Sequence, residues 1–124
     1  MASSLNGTGV TFSDSTSQAS GQQAAKAWLN INGPSGTIRA SYGVSSLTRN
    51  ATGDYTVNFS TAFADANYAL VGWASFQTAN SAPAGIITYG GDFAPTTTSA
   101  RVKTANSTNA GVMDAVYACL AFFR

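Results

Sequence analysis

Five aspartates and one cysteine are the residues in this chain whose types suit them best to covalent or acid–base chemistry. They are Asp14, Asp54, Asp65, Asp92, Asp114 and Cys119. No histidine accompanies them, which removes the usual general base and the commonest metal ligand. A glycosidase needs two carboxylates facing each other across a cleft, and nothing in the spacing brings two of these aspartates together. All five lie in predicted turns or beside Gly, Ala or Asn, where Asx-turns and loop caps are the ordinary use. Asp65, Asn67 and Asp92 are oxygen ligands of the kind calcium takes, but no dense D-x-D run supports a site. Cys119 sits in an apolar run with no base to activate it, and a buried core thiol is expected. We therefore expect no catalytic residues, no metal and no cofactor.

The remaining groups that could recognise something are aromatic. Trp28 and Trp73 are out of phase with the apolar residues beside them, and Tyr68 and Tyr89 flank loops. Exposed Trp and Tyr stack on pyranose rings, so these four form a candidate glycan contact. The competing reading places Trp28 on the second face of a two-sided sheet or in a subunit contact, where Trp and Tyr are enriched.

The elements that must carry these residues read as strands. From Lys26 onward the pattern has period two. In AWLNIN, Ala27, Leu29 and Ile31 point one way, with Trp28, Asn30 and Asn32 opposite. TIRASY puts Ile38, Ala40 and Tyr42 on one face, and Val44 and Leu47 predict a short irregular strand. Asn50–Asp54 is turn chemistry with Gly53 at positive φ. Tyr55, Val57 and Phe59 then face inward, and Phe63 tucks back onto the core from the loop over 61–67. Further strands are expected over 69–76, 85–90, 100–105 and the apolar end, 112–123. Seven to eight short strands at this spacing, with no helix of useful length, predict an all-β fold: an antiparallel, jelly-roll-like β-sandwich over 26–124. Residues 1–25, rich in Ser, Gly, Thr, Gln and Ala, are expected to form an extended N-terminal arm with a helical turn over 22–25.

Length and charge narrow the function. The 124 residues suit one domain. Only 9% are charged, against about 25% in a typical soluble domain. A polar but uncharged surface suits packing against copies of itself or a large assembly, where each buried charge would need a partner. The net charge is +1 with scattered cations, so nucleic acid is not an expected partner. No apolar run approaches the roughly 20 residues that span a bilayer, and the start, MASSLNGTG, lacks a signal-peptide layout.

Four stretches carry a resemblance: KAWLNING (26–33), IRASYGVSSL (38–47), NATGDYTVNF (50–59) and DANYAL (65–70). They resemble a module found near the C-termini of bacteriophage tail fibres and related virion proteins, over about residues 26–72. VTFSDSTSQAS (10–20) resembles the fibre linker F-x-D-G-T-x-Q, with Ser15 where that pattern has glycine. The resemblance implies a virion structural module, usually trimeric, with no catalytic set. The initiator Met suggests a complete chain, shorter than a fibre with a tail-gripping segment and shaft. The expected protein is thus a non-enzymatic virion protein, made in the host cytoplasm. It is a homotrimeric tail-fibre-type surface module for host attachment or fibre assembly. Its alternatives are a trimeric capsid decoration protein and a soluble carbohydrate-binding module. Its expected partners are itself, other tail or capsid proteins and a host-surface glycan. The trimer is expected to bury Leu120, Phe122 and Phe123 of the last strand with Val10 and Phe12 of the arm, and Arg49 is expected to pair with Asp54 across the hairpin turn.

Overall fold

A computed structural model describes residues 4–6, 9–11, 13, 17–18, 24–76, 84–89, 93–107 and 111–124. Eleven strands are present in them: β1 (Ser4–Asn6), β2 (Gly9–Thr11), β3 (Ser17–Gln18), β4 (Ala27–Asn32), β5 (Thr37–Tyr42), β6 (Val44–Ala51), β7 (Asp54–Phe59), β8 (Ala69–Ser75), β9 (Ala84–Tyr89), β10 (Ser99–Asn106) and β11 (Tyr117–Phe123). The last eight form an antiparallel β-sandwich. They are hydrogen-bonded in the order β5-β4-β11-β8-β9-β10-β7-β6. Between β8 and β9 the ladder holds only two residue pairs, Ala74↔Gly85 and Ser75↔Ala84, and there one four-stranded sheet gives way to the next. We call β5-β4-β11-β8 the front sheet and β9-β10-β7-β6 the back sheet.

Alternation builds the core. Leu29, Ile31, Tyr55, Val57, Val102, Leu120 and Phe122 all face inward and are buried. At one end, Phe59 meets Phe63, Tyr68 and Phe122 edge-on, with centroids 4.6, 5.6 and 5.0 Å apart, geometry that aromatic quadrupoles favour. Phe63 does tuck onto the core from its loop. Gly53 has φ 62°, as its turn requires, and a Cβ there would lie 2.6 Å from the Met113 carbonyl oxygen.

Three expectations need correction. Ile38, Ala40 and Tyr42 do not share a face. The β4–β5 register shifts between Asn30 and Ile31, so Ile31 opposes Ile38 while Asn30 opposes Ala40. One extra residue, Arg39, moves the rest of β5 out of phase, and Tyr42 ends exposed while Ile38 packs on the core. The strand expected at Val44 and Leu47 is not short but the eight-residue β6, and it is irregular as expected, with register shifts between Val44 and Ser46 and between Arg49 and Ala51. The described part of residues 1–25 is a small antiparallel meander, β1-β2-β3, that pairs Asn6 with Gly9 and Val10 with Gln18. Ala24 and Ala25 are irregular; the rest of the proposed turn over 22–25 lies outside the described residues.

Candidate functional site: the outer face of the front sheet

The three described aspartates each hold an arginine. Asp54 receives a bidentate pair from Arg101, Nε at 2.8 Å and Nη2 at 2.7 Å, and a bond from Asn50. The Arg101 bond, with help from Asn50, holds its carboxyl below the usual range despite partial burial. Burial works against the Asp114 carboxylate, but Arg49, the Gly53 N–H at 2.8 Å and the Tyr55 hydroxyl together keep its pKa lowered. Asp114 thereby ties the segment before β11 to the β6–β7 hairpin. The expected Arg49–Asp54 pair is not formed, because each residue meets an opposite charge from a distant strand or loop. Asp65 accepts the Asn67 N–H in an Asx-turn and a fork from Arg124, and its pKa falls to about 2, chiefly through the arginine. Asp14 and Asp92 lie outside the described residues. Among the described residues no cluster of metal-ligating side chains occurs.

The exposed apolar groups are concentrated elsewhere. Of the eight exposed large hydrophobic residues among the described residues, five lie on the outer face of the front sheet: Trp28 (42% exposed), Tyr42 (62%), Val71 (53%), Trp73 (55%) and Tyr117 (39%). Strand pairing aligns Tyr42, Trp28, Ala121 and Val71 in one row across the sheet. The next row is Ala40, Asn30, Cys119 and Trp73. By strand spacing, Trp28 and Trp73 are roughly 12 Å apart. Neither row carries a charged side chain. A cation, Arg39, is engaged at the rim. Its Nη1 donates to the carbonyls of Ile31 and Val116, both at 2.7 Å, and its guanidinium lies 4.2 Å from the centre of the Tyr117 ring.

Cys119 is in the middle of this face and only partly covered. The buried core thiol expected from sequence is not found: the inward positions of β11 are Ala118, Leu120 and Phe122. Partial burial raises its thiol pKa. Beyond Tyr42 the face runs into a cleft of about 410 Å³ lined by Lys26, Tyr42, Gly43, Thr61, Phe63 and Arg124, among others.

The sequence-predicted contact residues therefore separate. Trp28 and Trp73 come together on one face. Tyr68 does not join them: it is buried, its hydroxyl donates to the Thr96 and Ser99 carbonyls, and burial pushes its pKa up to about 12. Tyr89 packs against the core, and its hydroxyl donates to the Tyr68 carbonyl. Leu120 and Phe122 are buried within the chain's own sandwich, so a neighbour could reach them only by opening it. They are not surface contacts, because β11 is an interior strand whose even positions face inward. Phe123 has the opposite, outward parity and is partly exposed. Val10 lies in β2, and Phe12 is outside the described residues. Sequence reasoning missed Tyr42, Val71, Tyr117 and the exposure of Cys119. The unbroken apolar run of β11, YACLAFF, was the available signal, since strands covered on both faces lose their alternation. Comparison of the chain with protein-family models, curated proteins and solved structures returned no match.

Proposed function

We propose that the chain is a non-catalytic structural module of a bacteriophage virion surface, of tail-fibre type, working as a homotrimer among other virion proteins in host attachment or fibre assembly. The observation that carries this reading is the outer face of the front sheet, aromatic, with no charged side chain in its two rows and Arg39 at its rim. Contiguous exposed apolar surface beyond a few hundred Å² marks an interaction site. The resemblance over 26–72 supplies the kind of assembly, and its best-matched stretches fold as β4, β5, β6, β7 and the loop leading into β8. The three arginine–aspartate pairs hold turns and loops, so the described carboxylates serve the scaffold.

The test is the solution mass of the purified protein by light scattering, with and without residues 1–20. Three times 12.7 kDa is the expected mass of the full chain. A trimer that survives the deletion leaves the first 20 residues free to grip a tail or capsid, and a deletion that yields monomer makes them the threefold clamp. A monomer in both forms overturns the reading. A second reading, a carbohydrate-binding module, is favoured by one observation: Trp28 and Trp73 are exposed in adjacent rows of the same face, with the Asn30 amide in the row of Trp73. A glycan screen on the monomeric form would decide for it.

A further inference from the structure

We propose that the outer face of the front sheet is the surface through which copies of this chain meet, with Cys119 enclosed at the contact; the inference rests on the assembly reading above and names its interface. The two sheets differ in a way that points to a cover on one of them. The back sheet alternates as a half-solvated antiparallel sheet should. Its inward Tyr55, Val57, Ala100 and Val102 are buried, while Thr56, Asn58, Arg101, Lys103 and Thr88 lie on the other face. The front sheet is largely apolar at both parities, Asn30 being the polar side chain in its two outer rows. Its inward Leu29, Leu120 and Phe122 are backed by outward Trp28, Cys119, Ala121, Val71 and Trp73. A strand selected for one wet face has no reason to place two tryptophans, a valine and a thiol there.

Size and charge select a second copy as the occupant. The five large side chains alone expose on the order of 500 Å², taking about 150–250 Å² for a whole aromatic side chain. A stable interface needs about 800 Å² per partner, so these residues supply most of one and their neighbours in the same rows supply the rest. No charge stands in either row, so a charged partner would be desolvated without compensation. Among the described residues this face holds most of the exposed large hydrophobic side chains, a threefold axis brings it together on three copies, and aromatic cores of this kind are where binding energy concentrates.

Cys119 is the only cysteine in the chain, so a thiol reagent reads the centre of the face without any substitution. The experiment follows full-length protein through a dilution series by light scattering and by maleimide labelling of Cys119, beside Val71→Lys and Trp73→Lys. The expected result is a wild-type multimer whose thiol is protected when assembled and labelled when diluted to monomer. Both variants are expected at 12.7 kDa, labelled at every concentration and melting near the dissociated wild type. If wild type and variants are multimeric alike and Cys119 labels freely in the multimer, this interface is wrong while the assembly reading stands. A wild-type monomer at all concentrations overturns both and leaves the face to a glycan or another virion protein. Should a variant fail to fold, the labelling of unaltered wild type across the dilution series decides by itself.

Discussion

The outer faces of the two sheets are built on the same backbone plan and differ in almost every side chain. On the back sheet, Arg101 is held by Asp54 and covers the Phe93 ring at 3.9 Å from its centre, and Asn58 donates to the Ser46 hydroxyl at 2.9 Å. On the front sheet, Trp28, Val71 and Trp73 face solvent with no charged residue in their rows. Solvating a sheet face requires polar side chains at one parity, and the back sheet supplies them while the two rows of the front sheet hold Asn30 alone. The difference teaches where to look for function in a chain whose described aspartates are occupied with ion pairs. It also predicts a double dissociation. Changes on the outer front face should alter association and spare the monomer; changes in the core or at the ion pairs should alter stability and spare association in whatever remains folded.

The sharpest break of that comparison uses two aromatic residues of neighbouring strands. Phe122 is fully buried among Phe59 and Tyr68, and Phe122→Ala should cost about 3–5 kcal/mol of monomer stability, measured by urea unfolding. Trp73→Ala removes an exposed side chain and should cost the monomer about 0.5 kcal/mol or less. If Trp73→Ala destabilises the dissociated chain as much as Phe122→Ala does, the outer face is part of the monomer's core and the contrast between the faces collapses.

Gly53→Ala comes next. An alanine there would adopt a left-handed conformation and press its Cβ against the Met113 carbonyl oxygen and the Val112 side chain. The conformational cost alone is about 1–2 kcal/mol, and the close contact adds to it. Unfolding midpoints should fall accordingly, with the mass of the folded fraction unchanged.

Much of this was legible in the sequence, and the failures share a cause. The frames of β4 and β7, the Gly53 turn and the tuck of Phe63 follow from local patterning, in which each residue's role depends on neighbours a few positions away. The phase of Tyr42 was lost because a single bulge residue, Arg39, is invisible to alternation. The pairing of Arg49 with Asp114 spans 65 positions, beyond the reach of any local rule. Leu120 and Phe122 were read as surface because β11 is apolar throughout, and parity alone cannot say which side of such a strand meets its own core. The tryptophans were separable because they broke phase beside residues whose direction was already clear.

Acid titration sharpens the comparison from the back-sheet side. Asp54, Asp65 and Asp114 all have lowered pKa values, each with an arginine among the causes. A carboxylate depressed in the folded state contributes stability above its unfolded pKa and loses it as pH falls through the folded one. With no histidine in the chain, the melting temperature of the monomer should stay level from about pH 8 to 5. It should then fall below about pH 4, toward the value of about 2 reached by Asp65. Asp114→Asn should cost about 1–2 kcal/mol at neutral pH and flatten part of that acid limb. Association through an uncharged face should show little salt dependence over the same level range, because screening acts on charges.

The smallest effect tests the quiet side of the contrast. Lys103 lies on the outer back face opposite Thr88 and Asp54, where a polar residue in water contributes little. Lys103→Ala should change monomer stability by no more than about 0.5 kcal/mol and leave the multimer's mass and Cys119 labelling as in wild type. The substitution makes that face less charged, so it cannot disrupt assembly by introducing repulsion. A loss of association on Lys103→Ala would therefore mean that the polar sheet carries the contact, and that the aromatic face answers to a different partner.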